Sequence, residues 1–148
     1  MADDAALRKC RAADLPAVLR LSAQLGYPSS ADSLTARFSE IEASGADAVF
    51  VRENATGDVV GWIHISRRTL LESGPFAEIV GLVVDESARG QGVGAALVRQ
   101  AEDWAAENGL TDIRLRSNVV RASAHRFYER LGYVPIKRQA VFQKKTAG

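Results

Sequence analysis

Val83-Val84-Asp85-Glu86-Ser87-Ala88-Arg89-Gly90-Gln91-Gly92-Val93-Gly94-Ala95 carries the reading of this chain. An apolar run from Ile79 to Val84, broken only by Gly81, stops at an acidic turn. Gly90, Gly92 and Gly94 follow at alternate positions, and a helical spacing of apolar residues then begins. A strand leading through a glycine-rich turn into a helix leaves unpaired backbone N–H groups at the positive end of the helix macrodipole. Such a turn takes an anion, most often a phosphate.

Working outward, residues 92–108 read as a helix on Val93, Leu97, Ala101 and Trp104, ended by Gly109. A strand at 113–116, a helix at 122–130 and two short strands at 134–136 and 140–142 follow. Before the turn, 76–84 is a strand, 70–75 a loop, and 48–51 with 59–66 a hairpin closed by the turn 54–58. Residues 7–11 read as a first strand. Asp14 caps a helix to about residue 25 with Pro16 in its first turn, and residues 30–43 form a second helix.

The order β-α-α-β-β-β-α-β-α-β-β contains one parallel βαβ unit, the one built on the glycine turn. The expected fold is therefore α/β (α+β): a mixed, mostly antiparallel sheet of about six to seven strands, flanked by about four helices. With 148 residues and no linker or repeat, residues 1–148 are expected to form one domain.

Composition narrows the classes. The net charge of +1 gives no nucleic-acid footprint. No apolar run nears the ~20 residues of a membrane span, and Met1-Ala2-Asp3-Asp4 lacks the basic start of a signal peptide. The single cysteine, Cys10, excludes an internal disulfide and a multi-cysteine zinc site, so no metal is expected. A reducing cytoplasm suits such a chain, and Cys10 reads as buried filler.

Three phosphate ligands compete. A P-loop needs a lysine after the glycines, and none is there. Gly90-Gln91-Gly92-Val93-Gly94-Ala95 satisfies the dinucleotide fingerprint, yet Arg114-Leu115-Arg116-Ser117-Asn118 offers no acid for the ribose. An NAD(P)-binding domain stays as a rival.

The third reading draws on more of the chain. Arg89-Gly90-Gln91-Gly92-Val93-Gly94 resembles the pyrophosphate loop of the GNAT superfamily of acyl-CoA-dependent N-acetyltransferases. The preceding strand Leu82-Val83-Val84, the strand-end Asn118, and the block Ala124-x-x-Phe127-Tyr128-Glu129-x-x-Gly132-Tyr133 occur in the order and spacing of that family. The resemblance implies acetyl-CoA as cosubstrate. It places Arg89, Gly90, Gln91, Gly92, Val93, Gly94 and Ala95 on the pyrophosphate, and Leu82, Val83, Val84 and Asn118 on the pantetheine arm. A backbone N–H near Val83 would then face the oxyanion, and Tyr128 would protonate the leaving thiolate.

Acetyl transfer also needs a neutral amine. Glu78 stands in an apolar strand, where an unpaired carboxylate is costly, and is the candidate for the base or for holding the amine. On strict alternation it shares a face with Val80, Leu82 and Val84, unless a bulge intervenes. His64, on the same face as Trp62, and a chain of waters are the alternatives; His125 reads as surface.

Within the superfamily, Asn118-Val119-x-Arg121 and Ala124-His125-Arg126-Phe127-Tyr128 look most like aminoalkylphosphonate N-acetyltransferases, with Arg116 or Arg121 meeting an anionic group. A small-molecule primary amine is the expected acceptor. Protein N-termini or lysines, and a non-catalytic acyl-CoA-binding module, remain open, as does a homodimer.

Overall fold

The computed structural model describes residues 6–117 and 122–147. The chain divides into two compact units, one ending at Arg116 and one beginning at Ser117.

The first unit runs β1 (Leu7–Lys9), α1 (Leu15–Gln24), α2 (Ala31–Ser44), β2 (Asp47–Glu53), β3 (Val59–Leu70), β4 (Gly74–Val84), α3 (Val93–Glu107) and β5 (Ile113–Leu115). Its sheet has the order β1-β2-β3-β4-β5. The first three pairings are antiparallel, and β4 with β5 is parallel. The crossover through α3 is thus the one parallel unit that the glycine turn implies.

Local chemistry sets the element ends. Ser30 caps α2 by accepting the Ser33 amide at 3.1 Å, and Gly45 closes that helix in the left-handed region. In the β2–β3 turn the Asn54 side chain accepts the amides of Thr56 and Asp58. β3 and β4 are longer than their apolar runs suggest and leave only residues 71–73 as the connecting loop. Asp14 differs from expectation. Its carboxylate turns back to the Arg11 amide and the Arg8 guanidinium, and no side chain caps α1.

Each sheet face has its own cover. On one face Val51, Val83 and the half-buried Trp62 pack with Leu15, Val18 and Leu21 of α1 and Phe38 of α2. On the other, Gly61 lies close against Val93 and Leu97 of α3. Leu21, Ile63, Ile65 and Leu97 are fully buried, each stabilising the fold by about 1.5–3 kcal/mol. Cys10 is buried too, and desolvation pushes its thiol up to about 12. That makes it filler, not a nucleophile.

The second unit contains α4 (Ala122–Arg130) followed by a turn and chain without regular secondary structure. The two strands expected at 134–136 and 140–142 do not form. Pro135 removes one ladder donor, and neither segment finds a partner strand among the described residues. Val134, Ile136, Val141 and Phe142 are exposed. The described strands number five, short of the six or seven expected, with the mixed architecture unchanged.

Candidate functional site

The glycine turn is anchored before it begins. Asp85, just past β4, accepts the Ser87 amide at 3.1 Å, Arg20 at 3.0 Å and Gln24 at 3.4 Å. The Ser87 amide first, and then Arg20, hold its carboxyl below the usual range. Gln24 in turn accepts the Glu86 amide. These bonds tie the end of β4 to α1.

Beyond this anchor Gly90 and Gly92 both take left-handed backbone angles, φ +78° and +80°, where a side chain is strained. Gly92 is the N-cap of α3 and brings no side chain to it. The first intrahelical bond runs from Ala96 N to Gly92 O. The amides of Val93, Gly94 and Ala95 therefore lack intrahelical acceptors, and no acidic residue stands in the first turn of α3. Arg89, Gly90, Gln91 and Gly92 are exposed. An anion fits this end of a 15-residue helix on charge, access and donors.

The strand that leads into the turn has an open side. β4 pairs with β5 only at Ala77–Ile113, Glu78–Arg114 and Ile79–Leu115. From Val80 to Val84 it keeps β3 on one side and has no strand on the other among the described residues. Leu82, Val83 and Val84 thus lie on a free sheet edge that ends at the anion site. An extended amide-bearing chain can pair with such an edge.

A bulge re-aims β4 at this same point. His64 pairs with Gly81 and Ile65 with Ile79, so Val80 is the extra residue and is exposed. The bulge corrects the alternation expected for Glu78, which shares its face with Gly81 and Val83 instead of Val80, Leu82 and Val84. Cross-strand pairing then lines up Asp47, Ser66, Glu78 and Arg114 in one row across four strands. This face is the one covered by α1 and α2.

Glu78 is 8% exposed, and it is not unpaired. Arg68 approaches one carboxylate oxygen at 3.4 Å, and Arg116 the other at 3.6 Å. Arg114 lies over the Phe76 ring, 4.1 Å from its centroid. Two rows further along, on the same face, His64 reaches back so that its Nε2 is 2.8 Å from Asp47 Oδ1. Burial alone would push Asp47 up, but hydrogen bonds from Ser44, His64 and Ser66 prevail and hold it below the usual range. Asp47 and Arg68 carried no signal in the sequence, because only the strand register brings them to this face.

In the second unit Tyr128 is half-buried between two rings. Phe127 meets it edge-on at 5.0 Å and Tyr133 at 6.0 Å. Burial pushes its hydroxyl above the ordinary tyrosine value, which keeps it protonated and able to donate. Asn118 and Arg121 lie outside the described residues. No helix among the described residues is long and apolar enough to cross a membrane.

Known proteins resemble this chain in sequence and fold. The profile of the "Acetyltransferase (GNAT) family" matches residues 15–133. An aminoglycoside N(6')-acetyltransferase type 1 of Serratia marcescens is 29% identical over 143 residues, 94% of this chain and 97% of that protein. An aminoalkylphosphonate N-acetyltransferase of Salmonella typhimurium is 40% identical over 78 residues, 52% of this chain and 51% of that protein. The fold superposes on an aminoglycoside N-acetyltransferase in complex with CoA with a TM-score of 0.87 at 20% identity, over 99% of this chain and 98% of the other.

Proposed function

Because the chain belongs to the GNAT acetyltransferase family, whose cosubstrate is acetyl-CoA, we propose that it acetylates a small-molecule primary amine by direct attack on the thioester. The observation that carries the reading is the junction of the free β4 edge with the uncapped start of α3. An extended arm and a pyrophosphate, joined as they are in CoA, match an open strand edge that ends in an anion cradle.

Acetyl-CoA supplies the activated acetyl group. Amides from Gln91 to Ala95 hold its pyrophosphate, Gly90 and Gly92 keep the turn in shape, and Arg89 adds a charge-assisted contact. Leu82, Val83 and Val84 pair with the pantetheine arm, and Asn118 contacts the arm as the family resemblance implies. A backbone N–H near Val83 meets the negative charge that develops on the thioester oxygen. Tyr128 protonates the leaving sulfur. Glu78 holds the acceptor's ammonium.

The pairing of Glu78 with two arginines favours an acceptor that carries an anionic group beside its amine, as an aminoalkylphosphonate does. Arg68 is half-exposed, Arg116 is mostly exposed, and both are within reach of a ligand's anion. A polycationic aminoglycoside is the second reading, and it draws on the fuller-length relative.

Thermal unfolding with acetyl-CoA and with NAD(P) tests the cofactor, since a ligand of the native state raises the melting point. Release of CoA thiol with kanamycin, aminomethylphosphonate, spermidine and a peptide N-terminus then tests the acceptor. Protection by NAD(P) alone contradicts the proposal. Protection by acetyl-CoA without turnover of any amine leaves a binding module in its place.

A further inference from the structure

Asp47 and His64 stand 17 positions apart in sequence and 2.8 Å apart in the fold. The second oxygen of Asp47 accepts the Ser44 hydroxyl at 2.6 Å. Fixed in this way and anionic, the carboxylate takes the hydrogen of Nε2, and the neutral form of the ring then carries its lone pair on Nδ1. The location matters as much as the bond. The His64–Gly81 row is the first one beyond Ile79–Leu115, the last pair that β4 makes with β5. That is where the free edge of β4 opens. Glu78 lies two rows back, and each of its oxygens faces a guanidinium.

We propose that the Asp47–His64 pair, and not Glu78, is the base of the reaction, with Asp47 as the positioning residue. The inference rests on the transferase reading above. His64 Nδ1 takes one proton from the acceptor's ammonium and later gives it to solvent. The freed nitrogen lone pair forms the C–N bond as the C–S bond breaks. The thiolate takes a proton from Tyr128, and the second nitrogen proton returns through water to the tyrosinate. The sum is acetylamide, CoA thiol and one proton. Asp47 holds the ring in the tautomer that can accept and offsets the charge of the imidazolium, the role of an orienting carboxylate.

The test uses the whole chain, acetyl-CoA and the amine panel. His64→Ala should lower kcat by about 100-fold or more, with KM for acetyl-CoA and thermal protection by acetyl-CoA unchanged. Added imidazole should restore part of the lost rate, which a merely structural role would not allow. His64→Gln keeps a donor toward Asp47 without a basic nitrogen, and should be as slow as His64→Ala while guarding against loss of the fold. Asp47→Asn should lower kcat less than His64→Ala, and should add nothing in the His64→Ala background. Turnover by His64→Gln at the wild-type rate would overturn the assignment, as would imidazole failing to rescue a folded His64→Ala protein. A wild-type protein inert toward every amine removes the transferase reading and this base with it, and is seen before any variant is made.

Discussion

Gly81 lies directly beneath Trp62: a Cβ on Gly81 would stand 2.8 Å from Cζ3 and 2.9 Å from Cη2 of the indole. The ring rests on bare backbone at the point where β4 resumes its pairing after the bulge at Val80. Gly81→Ala must displace the ring, so it should cost about 1–3 kcal/mol of stability, the usual penalty of overpacking. Thermal denaturation should show the loss, and Trp62→Leu in the same background should recover part of it. Equal stability of Gly81→Ala and the parent would mean that the ring moves aside freely.

Gly92 separates binding from folding. At φ +80° an alanine costs about 1–2 kcal/mol and distorts the turn that delivers the α3 amides. Gly92→Ala should therefore weaken acetyl-CoA binding in calorimetry as well as lower the melting point. Gly57→Ala is the control, with φ +88° in the β2–β3 hairpin turn. It should lower stability and leave acetyl-CoA affinity unchanged.

The same contrast shows what could be read from the sequence. The β4–turn–α3 junction is local: the apolar run, the glycines and the helical spacing are contiguous, so residues 76–108 could be read almost as they stand. The hairpin around Asn54 and the ends of α2 were legible for the same reason. The bulge at Val80 was not, because period-2 alternation does not say where one residue slips out of register. That slip decides which of residues 81–84 share the face of Glu78, and the pairing of β4 with β3 and β5 brings Glu78 to Arg68 and Arg116. Asp47 and His64 meet only through β2–β3 pairing, so neither residue announces the other. At 134–136 and 140–142 the short apolar runs are present and the strands are not. A strand exists through its partner, and apolar spacing does not supply one.

Asp14 makes stability depend on pH. The Arg8 guanidinium donates to both of its oxygens, at 2.8 and 3.0 Å. That contact first, opposed by burial and aided by the Arg11 amide, holds its carboxyl below the ordinary aspartate range. A folded pKa depressed in this way contributes stability that is fully present above the unfolded value and is lost as the pH falls through the folded one. Asp14→Asn should cost between the ~1 kcal/mol of an exposed pair and the ~3–5 kcal/mol of a buried one. It should also flatten the loss of stability in denaturant melts below the ordinary aspartate range. An unchanged acid slope would remove Asp14 as its source.

Tyr128 owes its raised pKa to burial and is flanked by Phe127 and Tyr133. Tyr128→Phe keeps the ring stack and removes the proton. The variant should lose about 100-fold in kcat, with acetyl-CoA affinity by calorimetry unchanged. A wild-type rate would exclude Tyr128 as the acid.

The role we propose for the uncapped start of α3 and the free edge of β4 is to hold acetyl-CoA for transfer to an amine. Mass spectrometry of the amine panel after incubation with the chain and acetyl-CoA tests it most directly. One amine should gain the mass of one acetyl group for each CoA thiol released, with aminomethylphosphonate ahead of kanamycin. Thiol release without an acetylated amine, or no change in any amine while acetyl-CoA still protects the fold, would contradict it.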